Sequence, residues 1–202
     1  MKNILFTFLT ISFLISCSKK DDPQQLPKDK IPEATTFGAN TAGCYINGKL
    51  LIPKNNDQAI GGPLIYGLRY HLGNSFGDPL FNDYFAISIE NRKDLDGDDI
   101  YIHLNQMVQG SGNYTLGQSN GNLFTASPNN NHVVLKRGVN SGNIQTYISS
   151  PTSGSIVITR FDWANNIISG TFSFSLYNVN NPSDLIQVTE GRFDINLVTL
   201  NN

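Results

Sequence analysis

The sequence predicts an all-β domain: an antiparallel β-sandwich, with a lipocalin-like open β-barrel as the alternative. Three observations carry this. From about Gly38 onward the apolar residues recur with period 2, the alternation of strands with one buried face. Asn and Gly fill 43 of the 202 positions (25 and 18), so the chain is dense in residues suited to tight turns and positive φ. Only three Glu and seven Ala are present, so strong helix formers are scarce.

Met1-Lys2-Asn3 is a short positive start, followed by a mainly apolar run of twelve residues from Ile4 to Ile15. A membrane-spanning helix needs ~20 residues. The shorter run suits the central segment of a signal peptide. Leu14-Ile15-Ser16-Cys17 resembles the bacterial lipobox, in which a small residue precedes a Cys that receives acyl chains. Residues 1–16 are therefore expected to be a lipoprotein signal peptide. Cys17 is the expected lipidation site, and this covalent lipid is the only cofactor expected. Residues 17–37 are charged, Pro-rich and poor in apolar side chains, the composition of a flexible tether. Ser18-Lys19-Lys20-Asp21-Asp22 resembles the Lys-plus-acid signal that sends some Gram-negative lipoproteins to the cell surface. A plain solvated linker is the other reading. Residues 38–202 are expected to form one domain.

Within that domain, Tyr45-Ile46-Asn47-Gly48-Lys49-Leu50 is a hairpin signal, because Asn-Gly accepts the positive φ of a type I′ turn. A strand is expected at 64–71. Phe85, Ile87 and Ile89 then alternate with Ala86, Ser88 and Glu90, and Ile100, Ile102 and Leu104 with Tyr101, His103 and Asn105. Further strands are expected at 112–116, 122–126, 132–137, 144–148 and 155–161. Ile168, Gly170, Phe172, Phe174 and Leu176 share one face; a strand at 185–190 and the Phe193, Ile195, Leu197 alternation complete the set. Asp96-Gly97, Ser141-Gly142, Asn165-Asn166 and Asn180-Asn181-Pro182 mark turns. One apolar and one polar face per strand predicts an antiparallel sheet solvated on its polar side. The longest irregular stretches, 73–83 and 117–131, are candidate binding rims.

The chemistry-bearing residues are sparse. Gly73-Asn74-Ser75-Phe76-Gly77 matches G-x-S-x-G, but a nucleophile elbow needs a strand-to-helix turn, and no helical pattern follows. Gly110 to Gly117 is Gly-rich yet fits no phosphate-loop spacing. Asp94, Asp96, Asp98 and Asp99 form the densest acidic cluster. They are a weak Ca²⁺ candidate, since hard cations take many oxygens, against the plainer reading of a solvated hairpin tip. His71, His103 and His132 show no zinc spacing and are expected at the surface or at strand edges. With Cys17 acylated, Cys44 has no partner for a disulfide and is expected to be a buried structural thiol. Trp163, beside a turn, is a weak ligand candidate that would stack on a sugar; packing over the sheet end is the alternative. Glu90 and Glu190 are the acids open to a glycosidase pair. No catalytic constellation and no metal centre is legible, so a non-enzyme is expected.

Three segments, Phe37-Gly-Ala-Asn-Thr-Ala-Gly-Cys-Tyr-Ile-Asn-Gly-Lys49, Ile168-Ser-Gly-Thr-Phe-Ser-Phe174 and Thr189-Glu-Gly-Arg-Phe-Asp194, resemble those of uncharacterised β-rich bacterial lipoproteins. The resemblance implies an envelope location and a β-fold. It implies no activity and no catalytic residues.

The mature chain would carry 13 basic and 16 acidic side chains, which offers no electrostatic footprint for nucleic acid. The expectation is a lipid-anchored protein of the outer membrane, with cell-surface exposure as one of two readings, that works as a non-catalytic binding or interaction module. Its partners would be the membrane, through the anchor, and a glycan or an envelope protein. A glycan-acting hydrolase and an envelope assembly factor are the alternatives. Nothing in the sequence names a ligand.

Overall fold

The computed structural model describes residues 29–58, 60–73, 84–94, 96–139 and 141–202. The expected signal peptide, Cys17, the first part of the expected tether and most of the 73–83 stretch, including Ser75 of the G-x-S-x-G match, lie outside the described residues. The fold is all-β. Among the described residues its eleven strands are β1 (Thr41–Ile46), β2 (Lys49–Leu51), β3 (Leu68–Gly73), β4 (Tyr84–Glu90), β5 (Asp98–Leu104), β6 (Gly112–Thr115), β7 (His132–Arg137), β8 (Gln145–Ile148), β9 (Gly154–Asp162), β10 (Ile167–Asn178) and β11 (Leu185–Asn196). All strand pairs are antiparallel. The main path runs β2-β1-β11-β10-β8-β7-β5-β4-β3, while β9 pairs with β10 and β6 with β9. The sheet curls into a half-barrel, compatible with either expected architecture.

The fork lies on β10. One side of this strand is lined by β11. The other side is shared between β9, along Ile167–Phe174, and β8, at Tyr177 and Asn178. Side chains from both branches meet β1 and β11 in one core, which includes Cys44, Phe85, Ile102, Leu135, Ile156, Phe174 and Phe193. The curl brings distant strands together: the Phe85 and Phe193 rings lie 5.9 Å apart. The Tyr70 hydroxyl donates to the Leu197 carbonyl, and Asn201 Nδ2 donates to Leu68 O at 2.8 Å. Just beyond the C-terminal end of β4, Lys54 bridges Asn91 in parallel. Gly67 is needed there, since a Cβ would come within 2.5 Å of the Glu90 and Lys54 carbonyl oxygens.

Local sequence accounts for the turns. Asn47 and Gly48 take φ of 46° and 78°, the type I′ geometry that joins β1 to β2. Asn166, at φ 58°, closes the turn between β9 and β10. Buried Asp194 fastens the chain ahead of β1. Its carboxylate accepts the Thr35 and Ser169 hydroxyls at 2.7 and 2.6 Å and the Phe37, Gly38 and Ala39 amides at 2.9–3.1 Å. Within the expected tether, Arg192 also donates to Pro32 O and Arg160 to Thr36 O.

Three expectations need correction. Residues 122–126 form no strand but end in a 3₁₀ turn at Phe124–Ala126. Asn120 explains this: its Oδ1 accepts the Asn122 amide and its Nδ2 donates to Ala126 O, so local side-chain bonds replace a ladder. The strand expected at 64–71 starts only at Leu68, because Asn56 captures the Ile65 amide at 2.7 Å. Finally, the polar face of β4, β5 and β7 is not solvated. Ser88, Glu90, Tyr101, His103, His132 and Val134 are all buried. Part of the 117–131 stretch covers this face, with Phe124 edge-on to both Tyr101 and His71.

Candidate functional site

Side chains of alternate residues in β3, β4, β5 and β7 stand side by side on this second face. Strand register sets Arg69 opposite Ser88, Ser88 opposite Tyr101, and Tyr101 opposite Val134. The next row places Glu90 opposite Asp99 and Asp99 opposite Lys136. Leu123 and Phe124 roof these rows, leaving a cavity of about 400 Å³. That is within the ~300–1,000 Å³ usual for small-molecule sites. Its walls combine the aromatic and aliphatic groups of Tyr101, Leu123, Phe124, Val134 and Val139 with Arg69, Arg92, Lys136, His71, Glu90 and Asp99.

The charges are unevenly matched. Glu90 is 6% exposed and pairs with Arg69 through Oε1 and with Arg92 through Oε2. Burial raises its pKa, against the pull of the two guanidinium groups. Asp99 is pushed up to about 6, first by burial and then by the Glu90 charge, which together outweigh Arg92 and Arg69. Burial pushes the Tyr101 phenol up to about 12. Partial desolvation and the Arg69 charge lower the pKa of His71. Among the described residues, Lys136 makes no ion pair.

Beside the cavity, His103 stacks on His132 at 4.7 Å and on Tyr84 at 5.0 Å. His132 Nδ1 lies 2.9 Å from Asn130 O. A carbonyl only accepts, so Nδ1 carries the proton, and burial keeps this imidazole neutral by lowering its pKa. Both rings are core groups, a correction to the expected surface placement. The two rings stack on each other between Tyr84 and Tyr101, His103 lies opposite Ala86 of β4, and His132 is tied to Asn130 in the segment ahead of β7. His71 alone keeps substantial exposure.

The other candidates separate. The acidic cluster is split by strand alternation. Asp94 pairs with Lys49 at 3.0 Å, Asp96 lies in the turn before β5 and is exposed, buried Asp98 pairs with Arg137 at 2.7 Å, and Asp99 turns to the cavity. Asp98 therefore departs from the solvated-tip reading. No group of three or more His, Cys, Asp or Glu is arranged to hold a metal among the described residues. Cys44 is fully buried, and burial, aided by the Asp98 charge, pushes its thiol up to about 12. Trp163 packs edge-on to Phe161 at 5.1 Å while 44% exposed. Glu90 and Glu190 line different cavities. A further hollow of about 270 Å³ is walled by amides, including Asn105, Gln106, Asn113 and Asn131.

Sequence reasoning missed the roofed cavity. Its signal was present as charge: Arg69, Glu90, Asp99 and Lys136 occupy inward-facing polar positions of strands, where an exposed sheet face needs no such pairing.

Fold and site together define an all-β chain with a ligand-sized, charge-lined cavity on a curled sheet. The chain belongs to the family described as Domain of unknown function (DUF6252), whose model matches residues 82–194. That segment holds every wall of the cavity except Arg69 and His71 of β3. No curated protein and no solved structure matches the chain.

Proposed function

We propose that this chain is a lipid-anchored, non-catalytic binding module of the bacterial outer membrane, and that the roofed cavity between β3, β4, β5 and β7 is its ligand site. The cavity carries the reading: a space of about 400 Å³ joins an apolar wall to a small set of charged groups, the composition of a small-molecule site. The location rests on Ser16-Cys17 and the run before it. Acyl chains on Cys17 would hold the chain to the membrane, several far better than one. The test has two parts. Cys17→Ala in the full chain is expected to abolish acyl labelling and detergent partitioning; continued labelling overturns the anchor. A thermal-shift screen of small acids, amines and neutral compounds on the full chain tests the site, because a ligand that binds only the folded state raises the melting temperature. Hits that survive removal of the cavity groups overturn its placement. The amide-walled hollow favours a second reading, contact with a glycan, since amides pair with sugar hydroxyls as both donors and acceptors.

A further inference from the structure

We propose that the roofed cavity selects a small monocarboxylate with an apolar body, its head group held at Lys136 beside Arg69 and Arg92 and its body lying under Leu123 and Phe124. This inference rests on the binding-module reading above and adds the ligand class to it.

The site has a surplus of donors. Arg69 and Arg92 share the single acceptor group of Glu90, and the Nε atoms of both are buried without a hydrogen-bond partner. Lys136 makes no ion pair among the described residues. A buried donor without an acceptor is costly, and a carboxylate supplies acceptors only. Three cations face two acids, so the cavity is net positive even when Asp99 is ionised. The apolar part of the wall, Tyr101, Leu123, Phe124 and Val134, has no use for a bare inorganic anion.

Asp99 makes the selection pH-dependent. The groups around it are Glu90 and Arg92 from the end of β4, Arg69 and His71 from β3, Lys136 from β7 and Tyr101 from its own strand. Asp98 points to the opposite face, onto Arg137. Desolvation and Glu90 bring Asp99 to a pKa of about 6, so mild acid removes one negative charge from the cavity. It also turns Asp99 from an acceptor into a donor toward the ligand. Anion affinity therefore rises as pH falls through this range.

A matched series isolates the head group: 4-phenylbutyrate, 4-phenylbutanamide and 4-phenylbutylamine, titrated into the full chain by calorimetry at pH 7.5 and pH 5.5. Both values lie above the ordinary carboxyl range, so the acid probe stays ionised. The butyrate is expected to bind about tenfold tighter than the amide, and about fivefold tighter at pH 5.5 than at pH 7.5. Lys136→Gln should weaken butyrate binding about tenfold and amide binding much less, with Lys136→Arg restoring the butyrate. Asp99→Asn should bind butyrate at pH 7.5 as the native chain does at pH 5.5 and lose the pH effect. Thermal unfolding of each variant verifies that it is folded. Equal binding of amide and butyrate overturns the charge selection but leaves the binding-module reading intact, as does preferential binding of the amine. Binding of none of the three by the folded chain overturns both.

Discussion

Phe172 on β10 fills the space that a side chain at Gly191 on β11 would need. The two are register partners, and a Cβ at Gly191 would approach the ring to 2.1 Å. The reciprocal arrangement lies two residues away, where Phe193 covers Gly170 and a Cβ there would come within 2.8 Å of the ring. An aromatic ring laid over a cross-strand glycine restores packing where glycine alone would weaken the strand. Gly191→Ala is therefore expected to destabilise by about 1–3 kcal/mol through overpacking. Phe172→Ala should cost about 3–5 kcal/mol. Denaturant titration measures both.

The same pair of strands gives a sharper contrast. Phe174 is buried, and its ring stacks at 5.4 Å on Phe172. Ser173 points to the exposed side, with one bond to Val188 O at 3.2 Å. Phe174→Ala should lower the melting temperature strongly and Ser173→Ala slightly. Similar shifts for the two would refute the assigned facing.

Asp194 predicts acid sensitivity. Burial raises its pKa, but bonds from Ser169, Ala39, Thr35 and Gly38 outweigh burial and hold it below the ordinary Asp value. With the folded pKa depressed, this stabilisation is complete above the unfolded value near 4 and disappears as pH falls through the folded one. Asp194→Ala should cost on the order of 3 kcal/mol, because several bonds to one charge are lost together. It should also flatten the stability profile below pH ~4. Chemical denaturation from pH 3 to pH 7 is the measurement, and an unchanged acid limb would refute the assignment.

Asp99 predicts the opposite slope. Its folded pKa is raised to about 6, so the folded chain holds a proton that the unfolded chain has released. Its contribution is greatest below the unfolded value and is lost as pH rises through the folded one. Asp99→Asn is expected to gain on the order of 1 kcal/mol at pH 7.5, after discounting for solvent screening, and almost nothing near pH 4. A carboxylate kept where it lowers stability is what a ligand site would retain.

Cys44 should resist thiol reagents in the folded chain, since it is fully buried and its thiol is pushed up to about 12. Labelling is expected only after denaturation, and Cys44→Ser should reduce stability without touching ligand binding. Rapid labelling of the native chain would contradict the structure.

Much of the fold was legible because its signals are local. Alternation located β4, β5, β10 and β11, and Asn47-Gly48 marked the first hairpin. Burial of Phe172, Phe174, Phe193 and Ile195 follows directly from that period. The roofed cavity was not legible, because period 2 gives the faces of a strand but not what covers them. Glu90 and Asp99 look alike in the sequence to any solvated strand acid. They become a site only when β3 and β7 bring Arg69 and Lys136 alongside and Phe124 folds over. The histidines failed for the same reason: His103 and His132 are far apart in sequence, and only the β5–β7 register stacks them.

The pairing of β1 with β11, Thr41 with Asp194 and Ile46 with Val188, also sets an order of assembly. The first strand of the sheet has its partner at the far end of the chain, and the clasp from Thr35 to Ala39 closes on the same distant Asp194. Hairpins such as β4–β5 and β10–β11 form from neighbouring segments, whereas seating β1 requires a loop of nearly the whole chain to close. A ribosome delivering this chain from its N-terminus releases β1 long before β11. The leading strand, already paired with β2 along one edge, therefore waits with its other edge unsatisfied until β11 emerges, and a product truncated before Leu185 leaves that edge open.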